Sequence, residues 1–195
     1  MNDSQPNTKS TKISASQIKP QVVWLYGLSG SGKTTLSKEV AANLKQLNIP
    51  CLVLDGDELR EGISKDLGFN MFDRYENVRR AAGFARLACS QGFVVLVAMI
   101  TPTKFHRLEA KRIIEPLPIK QIFLDCSLEK ATERDVKGLY ARAKTGEVRN
   151  FTGLDSNFER PEWSEDTINT ELMTLQGSVN KVLSIMCLTK DGDTV

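Results

Sequence analysis

Long apolar runs, clustered cysteines and an excess of charge of either sign are all missing from this 195-residue chain. The longest apolar stretch, Phe93 to Ile100, is too short to span a bilayer, and no segment has the form of a secretory signal, so no membrane association is expected. Four cysteines, at 51, 89, 126 and 187, form no C-x-x-C pair, which argues against zinc and against a disulfide framework. A reducing, cytoplasmic setting follows, with a regulatory thiol pair left open. Lys and Arg number 26 against 24 Asp and Glu, a net charge of +2, so there is no general field for polyanions and nucleic acid is not an expected partner. Histidine occurs once, as His106, among Lys104, Arg107 and Lys111 of a predicted helix, where a solvated position and no catalytic role are expected. Residues 1 to about 20 carry almost no large apolar side chain and read as a flexible polar tail. The remaining 21–190 read as a single domain.

What is present begins with Gly27-Leu28-Ser29-Gly30-Ser31-Gly32-Lys33-Thr34, a complete phosphate-binding P-loop pattern. It follows a short apolar strand, Val22 to Tyr26, and opens a helix with Leu36, Val40, Leu44 and Leu47 at helical spacing. The glycines let successive backbone N–H groups turn inward onto phosphate, and the helix adds the positive end of its dipole. Lys33 would then reach the β- and γ-phosphates, the Thr34 hydroxyl would ligate a bridging Mg²⁺, and Thr35 would complete the nucleotide-binding set. A Gly/Ser turn that merely precedes a helix explains neither the lysine nor the flanking elements.

Cys51 to Leu54 reads as a second strand ending at Asp55. Asp73 with Glu76 has the form of a capping box that opens a helix through about Ser90. Phe93 to Ile100 reads as a strand buried on both faces, followed by a helix from about Lys104 to Glu115. Ile119 to Asp125 gives another strand, then come a short helix over Glu129 to Glu133, a strand near Thr167 to Thr170, and a C-terminal packing helix from Glu171 onward. Strand and helix alternate, which predicts an α/β architecture: a three-layer P-loop NTPase fold with a mostly parallel sheet flanked by helices. Between about 137 and 163 the hydrophobic period is lost, while Lys137, Arg142, Lys144 and Arg149 accumulate. This stretch is read as a mobile basic lid, against the alternative of a solvated surface loop.

Ligands of such sheets collect at the carboxyl ends of the strands. There Asp55 and Asp57 are separated by one glycine, a spacing suited to metal–water coordination and to taking a proton from an incoming hydroxyl. The alternative is that Asp57 simply caps a helix starting at Glu58. Arg60, with Arg74 and Asn77 on one helix face, could clamp an anionic substrate.

These blocks, together with Asp66-Leu67-Gly68-Phe69, Asp73 to Arg80, Lys137-Gly138-Leu139-Tyr140 and Phe151-Thr152-Gly153-Leu154-Asp155, stand in the order and spacing of the adenylylsulfate kinases. The chain resembles that family over about residues 20 to 170. The resemblance implies transfer of the γ-phosphoryl group of ATP, with Mg²⁺, to the ribose 3′-hydroxyl of adenylyl sulfate. It implies that Lys33, Asp55 and Asp57 are catalytic, with Asp57 as base or orienting group and Asp55 sharing the metal with Thr34. Arg60, Arg74, Asn77, the backbone at Ile100, and Lys137 would hold the substrate, Phe69 and Phe151 would sandwich its adenine, and Arg134 would lie over the ATP base. A homodimer is compatible with the family. Several positions depart from its pattern: Thr101 stands where many members have a serine treated as a phospho-acceptor, Lys104 replaces an arginine, Val136 a proline and Glu58 an asparagine. A covalent intermediate at Thr101 is possible but not required.

Two other readings compete. A kinase of the same fold acting on another nucleotide-linked small anion, such as a nucleoside diphosphate conjugate, would keep every clamp. A non-catalytic nucleotide switch finds support only in Asp135-Val136-Lys137-Gly138, which fits D-x-x-G, and no N-K-x-D sequence accompanies it.

Overall fold

The computed structural model describes residues 15–135, 138, 140–141, 152, 156–161 and 166–188. The elements in chain order are β1 (Val22–Tyr26), α1 (Lys33–Gln46), β2 (Cys51–Asp55), α2 (Gly56–Glu61), α3 (Met71–Ser90), β3 (Val94–Met99), α4 (Lys104–Ile114), β4 (Ile119–Asp125), α5 (Leu128–Arg134), β5 (Thr167–Asn169) and α6 (Leu175–Cys187). The five strands form one sheet in the order β2-β3-β1-β4-β5, and every pairing is parallel. This is the doubly wound α/β arrangement that alternating strands and helices predict.

Alternation along β1 divides the core between two faces. Val23 and Leu25 pack with Leu36, Val40 and Leu44 of α1 and with Val179, Val182 and Leu183 of α6. Val22, Trp24 and Tyr26 pack with Val78, Ala81 and Ala85 of α3 and with Ala110 and Ile114 of α4. Both faces of β1 and β3 are fully covered, so these strands read as unbroken apolar runs. The four cysteines are free, and burial raises each thiol above its ordinary pKa. Among the described residues, no helix is long and apolar enough to cross a membrane.

Three expectations need correction. Helix α3 starts at Met71, capped by Asn70 and not opened at Asp73: the Asn70 Oδ1 accepts from the Asp73 N–H at 2.9 Å, while the Asn70 side-chain Nδ2 donates to the Asp73 carboxylate at 2.9 Å. The cap is a side-chain N-cap built three residues earlier than expected, its Asn70 steadied by the Asp73 carboxylate. Helix α2 begins at Gly56 with Asp55 as its cap, so Asp57 lies in the first turn and does not cap it. His106 is buried, 2% exposed, where a solvated site was expected. Its ring contacts those of Tyr75 and Phe105, its Nδ1 meets the hydroxyl of Thr103, and burial lowers its pKa from the usual imidazole value. The cap of α4 is part of the reason: Thr103 accepts from the His106 N–H, and the same hydroxyl meets the ring Nδ1 and ties the imidazole to the cap, while Lys104 and Lys111 face solvent.

Most of the expected lid, including Lys137, Arg142, Lys144, Arg149 and Phe151, lies outside the described residues.

Candidate active site

Four strands deliver their carboxyl ends to one edge of the sheet, at Tyr26, Asp55, Met99 and Asp125. The P-loop leaves β1 there. Gly30 has φ +74° and Gly32 φ +93°, and a Cβ on Gly30 would stand 2.6 Å from the carbonyl oxygen of Ala131 on α5. Only glycine fits that approach. Gly32 caps α1 without any side-chain hydrogen bond, so the first N–H groups of the helix are turned to the loop. A helix end of this kind receives anions.

Lys33 is buried and folds back over the loop, donating to the carbonyls of Gly27 at 3.0 Å and Leu28 at 2.6 Å. Next to it, the Thr34 hydroxyl donates to Asp55 Oδ2 at 2.6 Å. Asp55, 4% exposed, accepts from the Asp57 N–H through Oδ1 at 2.9 Å. One carboxylate thus joins the P-loop helix to the start of α2 and places the Asp57 side chain in the exposed first turn beyond it. Hydroxyl and carboxylate oxygens suit a hard cation such as Mg²⁺. Among the described residues, no three His, Cys, Asp or Glu side chains form a cage for a metal, so such an ion would be shared between Thr34, Asp55 and phosphate oxygens.

The second cluster stands on α2, α3 and the connector between them. Phe69 is 48% exposed, with the guanidinium of Arg60 4.6 Å and that of Arg74 5.8 Å from its ring centre. Arg60 donates to the carbonyl of Gly68 at 2.6 Å, and Arg74 donates through Nε to the carbonyl of Phe69 at 2.8 Å. Burial lowers the pKa of Arg60, with Asp57 and Asp73 pulling against that shift. Asn77, one turn beyond Arg74, is 2% exposed, and its Oδ1 meets no hydrogen-bond partner among the described residues. An orphaned buried acceptor in a cluster of cations is costly unless a ligand donor satisfies it.

The remaining expected residues are placed as follows. The carbonyl of Ile100 accepts from the Gly27 N–H at 3.3 Å, tying the end of β3 to the P-loop. Arg134 on α5 donates to the carbonyl of Thr170 at 2.7 Å and to its hydroxyl at 3.1 Å, bridging α5 to the turn after β5. Thr101 is 2% exposed with φ +46°, and its hydroxyl accepts from the indole N–H of Trp24 at 2.8 Å. A hydroxyl so engaged in the core has no geometric advantage as a phosphate acceptor. Thr101→Ala should leave the indole N–H unpaired and cost about 1–3 kcal/mol of stability. Urea unfolding measures that loss, and retained turnover in the same variant would separate it from a covalent role.

One contact was not anticipated. Tyr140, buried at 1% exposure, donates from its hydroxyl to the carbonyl of Ser29 at 3.0 Å. Burial raises its pKa to about 12. The tyrosine pins the chain after α5 to the P-loop. Its signal was the Lys-Gly-Leu-Tyr block itself, which names the residue but not its partner.

A P-loop at the end of β1, a metal-suited Thr–Asp pair and a separate cationic clamp on the same sheet edge define a P-loop kinase, a protein that carries a phosphoryl group between two bound molecules. Residues 19–169 match the family model for adenylylsulphate kinase. An adenylyl-sulfate kinase of Bacteroides fragilis is 38% identical over 179 residues, covering 92% of this chain and 89% of that protein. One from Paraburkholderia xenovorans is 41% identical over 169 residues, 87% of this chain and 94% of the relative. Among solved structures, the Mycobacterium tuberculosis APS kinase CysC in complex with AMPPNP and APS aligns with a TM-score of 0.84 at 37% identity, over 87% of this chain and 98% of that one. The chain belongs to the adenylylsulphate kinase family.

Proposed function

We infer that this enzyme uses ATP to phosphorylate the ribose 3′-hydroxyl of adenylyl sulfate, giving 3′-phosphoadenylyl sulfate for sulfate assimilation. The observation that carries the reading is the pairing, on one sheet edge, of the P-loop with the Arg60, Phe69, Arg74 and Asn77 cluster. A hydrolase or a nucleotide switch has no use for that second clamp.

The transition state of phosphoryl transfer is loose, so the protein's work is alignment and charge stabilisation. The N–H groups at the start of α1 cradle the β- and γ-phosphates, and Lys33 exchanges its loop carbonyls for phosphate oxygens. Thr34 and Asp55 would hold Mg²⁺, which would supply charge neutralisation at the transferring group. Asp57 orients the 3′-hydroxyl and accepts its proton at a side-chain oxygen. Arg60 and Arg74 bind the phosphosulfate, Asn77 accepts from the ribose, and Phe69 offers its π face to the adenine. The same reading assigns Lys137 and Phe151 to the substrate side and Arg134 to the ATP base. The M. tuberculosis relative was solved with an ATP analogue and APS together. That supports direct transfer within a ternary complex.

The test is ADP release from Mg²⁺-ATP with adenylyl sulfate, AMP, a cytidine diphosphate conjugate or no acceptor. Turnover should be strong with adenylyl sulfate alone. Turnover with another nucleotide conjugate and none with adenylyl sulfate would keep the kinase and replace its acceptor.

A further inference from the structure

Phe69 and the carbonyls that Arg60 and Arg74 use all belong to the connector 62–70, which has no regular structure of its own except a run of turns. A substrate platform on such a segment needs outside support. Two of its supports, Arg60 and Arg74, are assigned above to the substrate itself.

A third is Arg80, six residues along α3 from Arg74. Its guanidinium donates to both oxygens of Asp66, at 2.6 and 2.8 Å, and to the carbonyl of Ile63 at 2.7 Å. Its Nε donates to Glu76 at 2.9 Å. Glu76 is itself gripped by Arg79 through two bonds of 2.6 and 2.8 Å. Four of the five donors of Arg80 are thus committed, in the planar fork geometry that lysine cannot reproduce. The Arg80 side chain is 27% exposed and that of Asp66 58%, so the link rests on its bidentate geometry within a network and not on burial. At the far end of the connector, Asp73 receives the Gly68 N–H at 2.9 Å, and a Cβ on Gly68 would stand 2.8 Å from that carboxylate. The segment is therefore staked at 63 and 66 by Arg80 and at 68 by Asp73, with Phe69 immediately beyond the second stake.

We propose that Arg80, through Asp66, is a positioning residue for the acceptor substrate: it fixes the connector so that Phe69 and the carbonyl groups under Arg60 and Arg74 stand where adenylyl sulfate binds. The inference rests on the acceptor reading given above. It gives Arg80 no contact with either nucleotide, and none with the P-loop, which stands on other elements.

The test compares the full-length wild type with Arg80→Gln, Asp66→Asn and the double variant, measuring KM for adenylyl sulfate, KM for ATP and kcat, with the thermal midpoint of each. Loosening a platform by a fraction of an ångström should raise KM for adenylyl sulfate about tenfold in all three proteins. KM for ATP should stay at the wild-type value, and the double variant should be no worse than Arg80→Gln alone, because that substitution already removes the link to Asp66. Asp66 is an exposed residue at its own position, 58% by side chain, so Asp66→Asn tests the idea even if Arg80→Gln folds poorly. An unchanged KM for adenylyl sulfate in Asp66→Asn overturns the proposal. So does an equal rise in both KM values, which marks a general loss of structure. Absence of wild-type turnover with adenylyl sulfate would instead overturn the acceptor reading and this inference with it.

Discussion

Asp57→Ala is expected to lower kcat by about 10²- to 10⁴-fold, the range of a lost general base, with ATP affinity close to wild type. The separation follows from how the residue is held. It is the backbone N–H of Asp57 that meets Asp55 at 2.9 Å, and alanine keeps that bond. The start of α2, the Thr34 to Asp55 contact and the P-loop therefore survive the substitution, and only the exposed carboxylate is removed. Steady-state kinetics beside calorimetric titration with an ATP analogue give the two numbers. A kcat near wild type would remove Asp57 from the chemistry. A parallel loss of nucleotide affinity would mean that the side chain serves the donor site and not the acceptor hydroxyl. Asp55→Ala is the contrasting case: it takes away the acceptor for both Thr34 and the Asp57 N–H, and should damage metal binding and local folding together.

Lys33→Met should reduce kcat by about 10²- to 10³-fold, the cost of removing one preorganised donor from a developing charge. Methionine preserves the buried apolar stem but carries no donor. The same change withdraws the charged group that bonds the carbonyls of Gly27 and Leu28, so a loss of about 1.5–3 kcal/mol in stability should accompany it. The two effects are read separately: turnover in an ADP-release assay, stability by denaturant unfolding. Wild-type turnover in a folded Lys33→Met protein would refute the role given to the lysine.

Residues whose type is dictated by local chemistry were legible in the sequence. The P-loop, β1 and α1 could be placed from the glycine spacing and the flanking periodicity, because phosphate binding leaves few alternatives. Asp55 and Asp57 could be named as a pair, but which of them caps α2 could not, since both are good capping residues and the choice depends on where β2 ends. The same ambiguity moved the start of α3 from Asp73 to Asn70. Non-local partnerships were not legible. Trp24 and Thr101 are 77 residues apart, and only the folded chain shows that the indole reaches the threonine hydroxyl. His106 and Arg107 look solvated between lysines, yet both are buried, the arginine lying 5.1 Å from the ring centre of Tyr26. The sequence placed the helix of α4 but not the side from which Tyr26 and Tyr75 approach.

Because all five strands run the same way, the amino ends of β2, β3 and β4 open onto the opposite edge of the sheet, through the short connections at Asn48 to Pro50, Gln91 to Phe93 and Pro116 to Pro118. Asn48, Pro50 and the three residues at 91–93 are exposed, and they stand at the opposite ends of the strands from the P-loop. The protein therefore has a back. A peptide inserted there, or a tether grafted to a bead or a neighbouring enzyme, would hold the molecule at the end of the sheet away from the P-loop and leave the P-loop edge facing the solution.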